Sequence, residues 1–116
     1  MPDDTEYTSL IERVREKTGN GLMKWEATKD DDMFVSKLDK YVFIIQKSAV
    51  ETVTSYYLRM YEAEKQVLAV TARRRPAGRI DTNFPVLAEL YEMARRRALN
   101  VDAKVAEVIG LLDKLK

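Results

Sequence analysis

The sequence predicts an α+β domain: five strands form a mainly antiparallel β-meander, with one helix before the sheet and two helices after it. Apolar residues recur with a helical period near both ends of the chain, and they alternate with the period of a strand between residues 22 and 72. The connections between predicted strands are only a few residues long, which favours hairpins over crossovers. A chain of 116 residues is long enough for one core, so we expect a single domain over residues 1–116.

The first helix is predicted over residues 4–17, because apolar side chains repeat there on one helical face. Its candidate N-terminal caps are Asp3, Asp4 and Thr5. The sequence TGNG follows, and Gly19 or Asn20 is suited to the left-handed position that ends many helices. The apolar stripe consists of Tyr7, Leu10, Ile11 and Val14.

Five strands are expected next, separated by turn-forming residues. Residues 47–52 are predicted to be a loop, and the fourth strand is expected to begin near Val53. The predicted strands are residues 22–28, 33–38, 41–46, 53–61 and 66–72.

Two helices are predicted after a linker over residues 73–85, which is rich in arginine, proline and glycine. The first should start near Phe84, with Asn83 or Thr82 as its cap and Pro85 in its first turn. The second should run to about residue 115, with Asp102 as its cap. The apolar stripe of the first is Leu87, Leu90, Tyr91, Ala94 and Ala98, and that of the second is Val101, Val105, Val108, Leu112 and Leu115.

The composition disfavours several kinds of chemistry. The chain has neither cysteine nor histidine, which removes thiolate and imidazole nucleophiles, bases and metal ligands. The run Asp30–Asp32 lacks the glycine and the spaced oxygen ligands of a calcium loop, so it is expected to be a solvated turn. We therefore predict no catalytic residue, metal site or cofactor, and an enzyme is the least favoured class. No apolar run approaches the ~20 residues of a membrane helix, and no signal peptide is visible, so a cytoplasmic protein is expected.

The third, fourth and fifth strands carry large apolar side chains on both faces, which raises the question of what covers the second face. Three alternatives remain open: the chain's own helices wrap both faces, a second copy covers one face, or tyrosine and methionine line a cavity for a small apolar ligand. The last helix is also apolar over a wider stripe than one sheet contact requires. The residues predicted to form a dimer interface are Tyr56, Leu58, Met60, Leu68, Val70, Val108, Leu111 and Leu115.

Arginines are concentrated in two places. The linker holds the candidate anion-binding residues, and Arg95, Arg96 and Arg97 follow one another on a predicted helix, where they should fan around the solvent side. Nucleic-acid binding is disfavoured, because such domains usually have an isoelectric point above ~9, and the value for this chain is about 7.9. The candidate anion-binding residues are Arg73, Arg74, Arg75 and Arg79.

Three segments carry a resemblance to a known group of proteins. LMKWEAT follows the glycine turn, YYLRMY precedes QVLAV across a short turn, and PVLAELYEMARRRALNVD lies near the C-terminus. Together they resemble small bacterial proteins that include the products of mobile gene cassettes carried by integrons. The resemblance implies a compact α+β domain that often forms homodimers, with no established activity and no catalytic residues.

The function predicted from the sequence is therefore that of a non-catalytic binding or adaptor protein acting as a homodimer. Two alternatives are a binder of small apolar ligands and a protein that associates weakly with nucleic acid through the linker arginines. The partner is expected to be a second copy of the chain, together with an unidentified protein or small molecule, and no membrane.

Overall fold

The structure is a computed structural model that describes residues 4–74 and 80–115. It confirms the predicted α+β fold, with one five-stranded antiparallel sheet, one helix before it and two after it. The elements are α1 Asp4–Gly19, β1 Glu26–Ala27, β2 Met33–Leu38, β3 Tyr41–Val50, β4 Val53–Glu62, β5 Lys65–Arg74, α2 Phe84–Ala98 and α3 Val101–Asp113.

The sheet is a meander in which every strand pairs with its neighbour in the sequence, in the order β1-β2-β3-β4-β5. Two-residue turns join β2 to β3, β3 to β4 and β4 to β5. The first residue of each turn has a positive φ although it is not glycine. A positive φ at this position reverses the chain tightly, but it is strained for a residue that has a Cβ atom. These residues are Asp39, Glu51 and Ala63.

Three strands have boundaries that differ from the sequence prediction, and one of them is β5, which includes Arg73 and Arg74 of the predicted linker. The predicted loop 47–52 is wrong, because β3 continues to Val50 and its last residues pair with the start of β4. Polar residues at the end of β3 interrupt the apolar–polar alternation that predicts a strand, but β4 supplies the backbone hydrogen-bonding partners. The predicted first strand is too long, since only Glu26 and Ala27 pair with β2.

The helix α2 lies across the sheet and contacts all five strands. The face beneath it, called the covered face below, carries a row of four cross-strand neighbours between 0% and 7% exposed. The buried side chains of α2 match four of the five predicted stripe residues: Leu87, Leu90, Tyr91 and Ala94. The cross-strand row consists of Phe34, Ile45, Leu58 and Val70.

The helix α1 packs against α2, with Ile11 and Val14 in the core. The α1 C-terminus is a Schellman motif, in which the amide of Leu22 donates to the carbonyl of Lys17 at 2.9 Å and Gly21 donates to Thr18 at 3.1 Å. The left-handed residue is Gly21, with φ of 76°, so the prediction of Gly19 or Asn20 is wrong because the helix runs to Gly19.

The turn after α1 brings Trp25 against the last turn of the helix. The Trp25 Nε1–H donates to the Thr18 hydroxyl at 2.9 Å, and that hydroxyl donates to the carbonyl of Val14 at 2.8 Å. Thr18 is 0% exposed and Trp25 is 5% exposed, so both bonds are shielded from water. Trp25 is therefore a core residue, and its hydrogen bond to Thr18 holds the segment before β1 against α1.

The starts of the two C-terminal helices also differ in detail from the prediction. Phe84 begins α2 with Pro85 in the first turn, as predicted, but Asn83 makes no capping hydrogen bond with its side chain. Its Oδ1 instead accepts a hydrogen bond from the Thr8 hydroxyl at 2.8 Å, which links α2 to α1. The N-cap of α3 is Asn100, so the assignment of Asp102 as the cap is wrong.

Candidate functional site

The most unusual surface of the molecule is helix α3, which has no buried residue. It meets the rest of the chain chiefly through α2 and therefore projects from the body of the domain. The radius of gyration is 16.2 Å, whereas a compact chain of this length has about 13 Å. Six large apolar side chains in and just beyond α3 are between 50% and 73% exposed: Val105, Val108, Ile109, Leu111, Leu112 and Leu115.

These side chains form one broad surface. At ~100° per residue, the positions from Leu111 through Leu112 to Ile109 cover an arc of about 160°. Lys104 lies inside this arc, while Asp102 and Glu107 lie outside it. We call these six side chains the α3 apolar surface. A shallow groove of about 390 Å³ runs along part of it and is lined by Leu99, Val101, Lys104, Val105, Val108 and Ile109.

The junction between α2 and α3 sets the direction in which α3 projects. Asn100 is in the left-handed region, with φ of 54° and ψ of 44°, which turns the chain between the two helices. Beside it, the Arg96 Nη2 donates to Asp102 Oδ1 at 2.7 Å. Both side chains are more than half exposed, so this ion pair fixes geometry more than it adds stability.

The structure divides the predicted interface residues into two groups. Three of them, Val108, Leu111 and Leu115, belong to the α3 apolar surface. The other five lie on the covered face of the sheet, where four are at most 9% exposed and the fifth packs against the core. A side chain buried within its own chain offers no surface to a second molecule, so we correct the interface assignment of Tyr56, Leu58, Met60, Leu68 and Val70.

The tyrosines of the covered face fill the space between sheet and helix by stacking. The ring of Tyr56 lies 5.2 Å from that of Phe84 and 5.5 Å from that of Tyr91, and Tyr91 lies 5.7 Å from Phe34. Burial, with the hydrogen bond from Tyr91 to Asp32 Oδ1 at 2.9 Å, raises the pKa of the Tyr91 hydroxyl. These rings act as core, not as the lining of a ligand cavity.

The opposite side of the sheet, which we call the open face, has no described helix packed on it. The expectation that the chain's own helices wrap both faces is therefore wrong for the described residues. The open face is partly apolar, and five of its large side chains are partly exposed: Val35, Val42, Ile44, Tyr57 and Tyr61. Tyr57 and Tyr61 lie four residues apart on β4 and share this face, as the alternation of side chains along a strand requires.

Arg59 lies at the centre of the open face, between Ile44 and Ala69 in the cross-strand register. Its Nη2 donates to Gln46 Oε1. Its Nε is buried and has no hydrogen-bond partner among the described residues. Orphaned donors of this kind are uncommon in folded proteins, so this nitrogen marks the open face as incompletely satisfied.

The arginine clusters are only partly described. Arg73 and Arg74 are exposed at the end of β5, whereas Arg75 and Arg79 lie outside the described residues. Each of the three helical arginines has a described partner. Arg95 Nη1 lies 3.4 Å from Glu92, Arg96 pairs with Asp102, and Arg97 donates to the carbonyl of Gly19 at 2.9 Å.

Among the described residues, no cluster of three or more acids is placed to hold a metal ion, and no helix is long and apolar enough to cross a membrane. No protein-family model, curated protein or solved structure matches the chain. The α3 apolar surface is therefore the candidate functional site on the grounds of its geometry.

Proposed function

We propose that the chain is a non-catalytic binding protein that acts as a homodimer, and that α3 forms the contact between the two copies. The observation that carries this proposal is the α3 apolar surface, in which six neighbouring large apolar side chains are half exposed or more. Contiguous apolar patches of this kind on a protein surface usually mark an interaction site.

The energy available from covering this surface is comparable to the cost of association. Complete burial of a valine or leucine side chain contributes roughly 1.5 to 3 kcal/mol, so six half-exposed ones still have roughly 4 to 9 kcal/mol to gain in each copy. Association itself costs about 4 to 15 kcal/mol in lost freedom. The two quantities are of similar size when both copies contribute, so removing two of these side chains should shift the equilibrium strongly towards monomer.

A second copy of the chain is the occupant that the surface favours. Closed twofold dimers are the commonest oligomers, and a twofold axis lets α3 of each copy contact the other copy in the same way. In and just after α3, the acids Asp102, Glu107 and Asp113 are nearly balanced by Lys104 and Lys114, so this segment has no strong charge of one sign to repel a second copy. A helix that lies on a lipid surface usually has a basic polar face, which α3 lacks.

Light scattering after size-exclusion chromatography tests the proposal. The wild-type chain should have twice the chain mass of 13.4 kDa, and the double variant Val108→Gln/Leu111→Gln should have the mass of a monomer. Glutamine is a good helix former, so α3 itself should be retained, which circular dichroism checks. Ala106→Gln, on the polar side of α3, is the matched control and should remain dimeric.

A wild-type chain that stays monomeric at high concentration would contradict the proposal. In that case the groove beside Val105 becomes the observation that supports the alternative, a binder of small apolar ligands. A rise in melting temperature with an apolar compound, lost in Val105→Gln, would identify that function, because a ligand that binds only the native state stabilises it.

A further inference from the structure

The molecule has two apolar surfaces without a partner in the described chain: the α3 apolar surface and the open face of the sheet. One is a projecting helix without a sheet to pack on, and the other is a sheet without a helix packed on it. In α+β domains such elements normally bury their apolar sides against each other. Within this chain the two surfaces remain separate.

The width of the α3 apolar surface favours a sheet over a second helix as its main contact. A coiled-coil seam is a narrow stripe, whereas a helix packed on a core carries a stripe wider than ~100°. The arc of about 160° between Leu111 and Ile109 belongs to the second kind. The helix has barely two heptads, which is shorter than the ~3–4 heptads typical of a coiled coil.

The buried area leads to the same conclusion. At about 25 cal/mol per Å², a transfer free energy of roughly 1.5 to 3 kcal/mol corresponds to roughly 60 to 120 Å² for a fully exposed valine or leucine side chain. Six such side chains that are half exposed or slightly more present roughly 200 to 400 Å² of apolar surface. A stable interface of standard size buries ~800 Å² on each partner. A contact between two α3 helices alone falls well short, whereas a contact in which each copy contributes both its helix and its open face buries more surface.

The polar groups of the two surfaces are also complementary. Arg59 Nε has no hydrogen-bond partner on the open face. Glu107 borders the α3 apolar surface half-way along the helix and forms no ion pair with a described residue. Because Arg59 Nε is itself buried, a carboxylate of the partner would pair with the positive charge of the guanidinium group and not with Nε.

We infer that α3 of each copy docks on the open face of the other copy, in a reciprocal exchange about a twofold axis. This inference rests on the homodimer proposed above and specifies its geometry. The apolar side chains around Leu111 and Leu112 lie on Val35, Val42 and Ile44 of the partner, and Glu107 lies beside the partner's Arg59.

Cysteine cross-linking tests this arrangement directly, because the native chain has no cysteine. The double variant Ile44→Cys/Leu111→Cys should form a covalent dimer on mild oxidation, whereas each single variant should not. Disulfides require Cα atoms about 4.4 to 6.8 Å apart, so the band reports close contact. The control is Glu51→Cys/Leu111→Cys, in which the first cysteine is on the exposed turn between β3 and β4 and reports random collision.

A second measurement does not depend on cysteine geometry. Ile44→Gln on the open face should weaken the dimer at least tenfold by sedimentation equilibrium, while Glu12→Gln on the exposed side of α1 should leave the dissociation constant unchanged. Circular dichroism confirms that each variant is folded.

The possible outcomes separate the two proposals. A dimer that is unaffected by Ile44→Gln, or that cross-links through Leu111→Cys alone, overturns the exchange but leaves the α3 homodimer in place. A monomeric wild type overturns both.

Discussion

The hydrogen bonds around Thr18 give a sharp test of how the chain before β1 is held. Thr18→Val exchanges the hydroxyl for a methyl group of nearly the same shape, so the packing changes little. The Trp25 Nε1–H, which donates to that hydroxyl at 2.9 Å, is then left buried without an acceptor. An unsatisfied buried donor costs about 1 to 3 kcal/mol, and the added methyl regains about 0.8 kcal/mol, so we expect a loss of up to about 2 kcal/mol.

The loss of stability in Thr18→Val should depend on the presence of the Trp25 indole, and a double-mutant cycle measures this dependence. In a Trp25→Phe background no donor is left unpaired, so the same Thr18→Val substitution should change stability by less than about 0.5 kcal/mol. Thr18→Ser is the matched control, because it keeps the hydroxyl and loses only a methyl group. Urea unfolding followed by far-ultraviolet circular dichroism, at one fixed protein concentration, gives all four free energies of unfolding. An equal loss in both backgrounds would refute the coupling between Thr18 and Trp25.

Two further predictions concern the backbone and the pH dependence of stability. Gly21→Ala should lower the free energy of unfolding by about 1 to 2 kcal/mol, because residue 21 has φ of 76°. Gly110→Ala should raise the free energy of unfolding by about 0.5 to 1 kcal/mol, because Gly110 lies in a helix with open space around it. Two changes of the same sign in urea unfolding would contradict this. The raised pKa of Tyr91 means that its contribution is fully present below the unfolded-state pKa of ~10 and is lost as pH rises towards the folded-state pKa. Wild type should therefore lose stability above pH ~10 more steeply than Tyr91→Phe, and parallel urea midpoints for the two proteins would show that this ionisation is not linked to folding.

The sequence was a reliable guide to the elements because their signals are local. The helical stripes of α1 and α2 and the alternation in β2, β4 and β5 depend on residues within one or two turns or along one strand. The predicted ends of helices and strands were less accurate where the apolar pattern is interrupted by polar residues or glycines. At the end of β3 the polar residues Lys47 and Ser48 conceal a strand that β4 completes, and after α1 the left-handed residue is Gly21, two residues beyond the predicted glycine.

The candidate site was predicted in part. The spacing of Val108, Leu111 and Leu115 identified α3 as unusually apolar, and the structure places all three on an exposed surface. The sequence indicated a second apolar face of the sheet, but the interface residues were assigned to the face that α2 covers. Arg59 Nε was not identified, because an orphaned donor is visible only once the neighbouring strands are paired.

The alternation in TSYYLRMY determined by itself that Tyr57 and Tyr61 share one side of the sheet while Tyr56 and Leu58 share the other, since successive side chains of a strand point in opposite directions. Only the tertiary structure decided which side α2 covers. That choice depends on contacts between segments more than twenty residues apart, and both sides are apolar enough to compete for the helix. The left-handed turn at Asn100 then directs α3 away from the sheet, which leaves the helix and the open face as the two surfaces available to a partner.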